Sequence, residues 1–77
     1  MTTATAQSVS RITAYLEKNG PSHEADAVRA GRVEPNAAAG CRGLTALGAR
    51  GVLREMLADG SVVRLYDSLN LPLVGLR

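Results

Sequence analysis

At Asp59-Gly60 the chain changes its hydrophobic period. Ahead of that dipeptide, apolar residues recur at the three- and four-residue spacing that gathers them on one face of a helix. Beyond it, SVVRLY and LPLVGLR are Val/Leu-rich runs at strand-like spacing. Asp67-Ser68-Leu69-Asn70 between them is a turn-forming cluster, so the last seventeen of the 77 residues read as a hairpin. Strand structure is thereby confined to one end of the chain, and the fold class expected is mainly α with a small β-hairpin (α+β). Pro72 cannot donate to a ladder, so the second strand is expected either to be an edge or to begin pairing at residue 73.

The helical part divides at its glycines and prolines. Residues 1–7, a Thr/Ala stretch without periodicity, are expected to be a flexible N-terminal tail, leaving 8–77 as a single domain. Val9, Ile12, Tyr15 and Leu16 share one helical face over residues 8–19, with Ser8 as cap and Asn19-Gly20-Pro21 as stop. A second helix opens at Pro21-Ser22-His23-Glu24 with Ser22 as its cap, buries Ala25, Val28 and Ala27, and breaks between residues 31 and 35. A short helix over 35–41 follows. Thr45 then caps a longer helix with Val52, Leu53, Met56 and Leu57 on its inner side and Arg50 and Arg54 one turn apart on its outer side.

A chain of this length hides roughly 60% of its unfolded surface and needs nearly all of its apolar side chains for one core. Cys41 is the only cysteine, so no intrachain disulfide staples the domain and no thiolate cluster holds zinc. There is no signal-like leader and no run approaching the length of a bilayer span, which predicts a cytoplasmic protein without a membrane partner. Neither a glycine-rich phosphate loop, a metal motif nor a nucleophile–base pair stands out, so neither enzymatic activity nor a cofactor is expected. Tyr15 and Tyr66 are the only aromatic residues, too few for the stacking platforms that grip single-stranded nucleic acid.

The net charge of +2 is unevenly placed. Residues 1–34 balance Arg11, Lys18, Arg29 and Arg32 against Glu17, Glu24, Asp26 and Glu34. Arg42, Arg50 and Arg54 then come in an interval without any acid. The run from Val52 through Asp59-Gly60 to Arg64 is similar to the end of a recognition helix passing into the first strand of a wing. Ile12 to Gly20 likewise resembles a first helix leading into a second. Together these resemble the winged helix-turn-helix superfamily over roughly residues 8–76: three to four short helices followed by a C-terminal two-stranded wing.

That resemblance implies a small DNA-binding protein, a transcriptional regulator of phage, plasmid or bacterial origin, acting on double-stranded DNA as a homodimer. The helix starting near Thr45 would lie in the major groove, with Arg50 and Arg54 on guanine edges or phosphates. Arg64, Arg77 and Arg42 would hold the flanking backbone. The alternative is a non-enzymatic module that binds a protein partner on a similar fold. It draws on the small net charge, on Gly48 and Gly51 in the outer helix, and on the apolar run Leu69, Leu71, Leu73, Val74 and Leu76. On that alternative Arg50 and Arg54 form a solvated helix face and Arg64 an exposed strand charge. His23 reads as solvated and Cys41 as a small buried residue.

Overall fold

The computed structural model describes residues 3–77. Three α-helices precede a two-stranded antiparallel hairpin: α1 (Thr3–Asn19), α2 (Glu24–Ala30), α3 (Ala46–Asp59), β1 (Val62–Tyr66) and β2 (Pro72–Leu76). The coarse α+β layout read from the sequence is therefore the observed one.

α1 begins at Thr3 and not at Ser8. Residues 3–7, expected as a tail, are helical; Met1 and Thr2 lie outside the described residues. The reason is packing. Ala4, Ser8, Ile12 and Leu16 are all buried at strict four-residue spacing, and Ala4 joins Val33 and Cys41 in a small second core. Two members of this stripe are too small to register as hydrophobic periodicity. Ser8 is thus an interior residue, not a cap, and its hydroxyl is fully buried with no hydrogen-bond partner. A buried hydroxyl left unpaired costs roughly 1–3 kcal/mol. Ser8→Ala is accordingly expected to raise stability by about 1 kcal/mol, a gain of roughly 4–8 °C in thermal midpoint for a domain of this size. Differential scanning calorimetry checks it, and an unchanged or lower midpoint refutes it.

α2 is shorter than expected because Ser22 is not its cap. His23 holds the N-cap position without a side-chain cap bond, while Ser22 is drawn into the sheet. Its N–H donates to the Val74 carbonyl at 2.9 Å and its carbonyl accepts from Val74 N–H at 2.8 Å. The buried side of α2 is Ala27 and Val28; Ala25 is exposed. At the end of α2 the chain passes close to α1. A β-carbon on Gly31 would stand 2.8 Å from Ile12 and 2.9 Å from the Ser8 hydroxyl, so only glycine fits there without a shift.

Between α2 and α3 the expected helix over 35–41 does not form. The segment folds back on itself through the Val33–Leu44 and Asn36–Cys41 bridges. Only Ala37–Ala39 make a 3-10 turn, capped by the Asn36 side chain and closed by left-handed Gly40. Gly40 and Gly43 take left-handed conformations that end a helix, and the Asn36–Cys41 bridge pairs the backbone across the turn instead; the alanines alone do not outweigh them. Val33 and Cys41 anchor the excursion under the N-terminal turn of α1, with Leu44 bridging to the main core.

The main core gathers Ile12 and Leu16, Ala27 and Val28, Ala49, Val52, Leu53 and Met56, and Val62 and Val74 from the hairpin. In the hairpin, Arg64 faces Val74 and Tyr66 faces Pro72. Pro72 therefore pairs from the start of β2, contrary to the expected delay. Asp67 N–H bonds to the Leu71 carbonyl, and the alternation of an antiparallel ladder then turns the Pro72 nitrogen away from β1, where no donor is required. Nor is β2 an edge along its whole length, since Ser22 pairs with it on the side opposite β1.

Candidate nucleic-acid interface

α3 positions the central residues. Its N-terminus is held by Thr45, whose hydroxyl accepts from Gly48 N–H at 3.4 Å and whose carbonyl accepts from Ala49 N–H at 2.8 Å. Ala49, Val52, Leu53 and Met56 fix one side of the helix in the core. The opposite side is thereby forced outward: Leu47, Arg50, Gly51, Arg54 and Ala58 are all exposed. The nearest carboxylate on α3 is Glu55, exposed one turn beyond Gly51, but neither Arg50 nor Arg54 forms an ion pair among the described residues. Two guanidiniums one helical turn apart are thus left to water or to an external anion.

Arg42 stands on the excursion ahead of α3. With Arg32, Glu34, Thr45 and Ala46 it borders a concavity of about 240 Å³ beside the N-terminus of α3. Arg32 was not singled out in the sequence, where it reads as the base closing α2. Gly31 ends that helix before Arg32 is reached, and the side chain is exposed beside the same depression as Arg42.

The other two arginines expected at the interface, Arg64 and Arg77, stand apart from this group. Arg64 places its guanidinium 3.7 Å from the Glu24 carboxylate, joining β1 to the first turn of α2. Arg77 lies over the far end of α3, with Nη1 3.0 Å from where a β-carbon on Gly60 would sit. A fourteen-residue helix spans about 21 Å, so Arg77 and Arg42 serve opposite ends of α3. Of the residues expected at the interface, Arg42, Thr45, Arg50 and Arg54 are grouped along the approach to α3 and its first nine residues.

Acid is collected on the flank of α3 that turns toward α1. Asp59 accepts from both the hydroxyl and the N–H of Ser61. These bonds, the hydroxyl's first, hold its carboxyl below the ordinary carboxylate value, although the group is exposed. Positive and negative charge are thus separated on the two exposed flanks of a single helix.

The hairpin end is apolar. Leu69 is 77% exposed, Tyr66 62% and Leu71 47%, around a turn in which Asp67 accepts from the N–H groups of Leu69 and Leu71. Among the described residues there is no cluster of histidine, cysteine and acidic side chains fit to hold a metal, and no helix long and apolar enough to cross a membrane. No protein-family model, curated protein or solved structure matches the chain.

Proposed function

We propose that this protein binds double-stranded DNA by laying α3 in the major groove, as a winged-helix transcriptional regulator does. The observation that carries the reading is the pair Arg50 and Arg54, exposed one turn apart on a helix anchored from behind and without a carboxylate partner among the described residues. Arginine in that setting can bind guanine edges bidentately or neutralise phosphates. The order of elements also supports a winged-helix reading: a helix, a single bridge onto the last strand, two further helices and a hairpin. Arg42 extends the basic group toward the flanking backbone. Arg64 is assigned to the fold, because its guanidinium stands 3.7 Å from the Glu24 carboxylate and links β1 to α2.

Fluorescence polarisation with a labelled duplex at low and moderate salt tests this reading. Absence of binding to any duplex at low salt defeats it, as does an unchanged affinity in an Arg50→Ala/Arg54→Ala variant.

The exposed hairpin end favours a second reading, a module that docks on a protein or on its own copy. Leu69→Ser with Leu71→Ser removes the aliphatic part of that surface, leaving Tyr66, and uses no residue of the β1–β2 ladder. If the end is an interface, sedimentation velocity shows self-association of the parent chain lost in the variant. If both sediment as monomers, self-association through this end is ruled out.

A further inference from the structure

Beside the arginine stripe, between α3 and the N-terminal half of α1, lies a groove of about 580 Å³. Val9, Leu44, Val52 and Met56 supply its apolar lining, and Glu55 and Asp59 supply all of its charge. Its depth comes from an omission. Gly51 lines the groove without a side chain, and a β-carbon added there would meet nothing within 4 Å. Glu55 and Asp59 stand one turn apart on α3, and neither is in an ion pair among the described residues. Ser61 engages a single oxygen of Asp59, leaving the other to accept.

We propose that this groove binds a small organic cation, with an apolar body against Val9, Val52 and Met56 and an ammonium between Glu55 and Asp59. The volume falls within the range of about 300–1,000 Å³ typical of small-ligand sites, and an apolar lining with a few convergent polar groups is their usual construction. Charge complementarity selects the occupant. An anionic or neutral amphiphile gains the same apolar burial but leaves two carboxylates uncompensated. The exposed hairpin end of a second copy is a poorer fit, because Asp67 beside Tyr66 and Leu69 would bring negative charge to a negative rim.

The assignment stands apart from the DNA-binding reading. Only its regulatory consequence rests on that reading: an occupant seated at Gly51 adjoins Arg50 and Arg54, and so alters duplex binding.

The test is a methyl-detected NMR titration of the full chain with three probes sharing one apolar body: 4-phenylbutylamine, 4-phenylbutanol and 4-phenylbutanoate. The amine is expected to bind with Kd on the order of 1 mM, with shifts centred on Val9, Leu44, Val52 and Met56. It should bind about tenfold more tightly than the alcohol, since each exposed charge contact contributes modestly, and the carboxylate should bind most weakly. Glu55→Gln with Asp59→Asn should reduce the amine to the affinity of the alcohol. Gly51→Leu should abolish binding of all three by filling the groove, and replacing a helical glycine does not endanger the fold. Equal affinity for the three probes, shifts centred on the hairpin, or unaltered binding in Gly51→Leu overturns the proposal. Duplex polarisation with and without the amine then reads the regulatory consequence. Amine binding by a chain that binds no duplex defeats the DNA reading alone; duplex binding without an amine response in the NMR titration defeats the groove alone.

Discussion

Gly43→Ala is expected to lower the thermal midpoint by roughly 12–24 °C, corresponding to about 3 kcal/mol. Gly43 has φ +78°, and a β-carbon there would stand 2.6 Å from the Val33 carbonyl oxygen and 2.7 Å from the Pro35 nitrogen. Both are backbone atoms, unable to turn aside as a side-chain end can. The Val33 oxygen also accepts from Leu44 N–H at 2.8 Å, so moving it breaks the bridge that ties the excursion to the start of α3. The cost combines about 1 kcal/mol for the left-handed backbone with the larger penalty of overpacking. For a chain whose total stability is on the order of 4–12 kcal/mol, that is a large share.

Gly40 supplies the control. It lies in the same segment with φ +68°, yet a β-carbon there meets nothing within 4 Å. Gly40→Ala should therefore cost only the backbone component, about 1 kcal/mol. Chemical denaturation of both variants separates the two effects, and equal losses would show that the Val33–Gly43 approach contributes nothing of its own.

These glycines also mark where the sequence stops being readable. α3, its Thr45 cap and the hairpin are legible because each is announced locally: a capping hydroxyl, a four-residue apolar face, a glycine stop and a change of period. α1 is legible only from Ser8 onward. The alignment of Ala4 and Ser8 with Ile12 and Leu16 becomes meaningful once Val33 and Cys41 are known to lie against it, and they come from the segment whose path is set by non-local pairing. The alanines at 37–39 point toward helix, whereas Gly43, by accepting a left-handed conformation against Val33 and Pro35, permits a turn-back instead. Ser22 fails as a cap for a similar reason, since its bridge partner Val74 is far away in the sequence.

The candidate site divides in the same way. Arg50 and Arg54 are readable from helical spacing alone. The attachment of Arg64 to Glu24 depends on how β1 lies across α2, and the position of Arg32 beside Arg42 depends on the excursion. Neither follows from a local pattern.

The consequence for binding is numerical. With Arg42, Arg50 and Arg54 as the cations available along α3, a duplex complex neutralises about three phosphates per chain, and the slope of log K against log salt should be near −2.7. Raising salt from about 50 to 200 mM should then weaken binding about 40-fold. Arg50→Ala with Arg54→Ala should flatten the slope to about −0.9, leaving only a fewfold response, and should weaken binding at low salt most. Arg64→Ala should leave the slope unchanged, because a guanidinium held beside Glu24 neutralises no phosphate and so displaces no counterion from the duplex. If Arg64→Ala instead lowers the slope by about one, the Glu24 pair opens on binding and the hairpin takes part as a wing. An unaltered slope in the α3 double variant takes Arg50 and Arg54 off the phosphates; an unaltered affinity as well removes the major-groove assignment altogether, since a lost guanine contact would weaken binding at every salt.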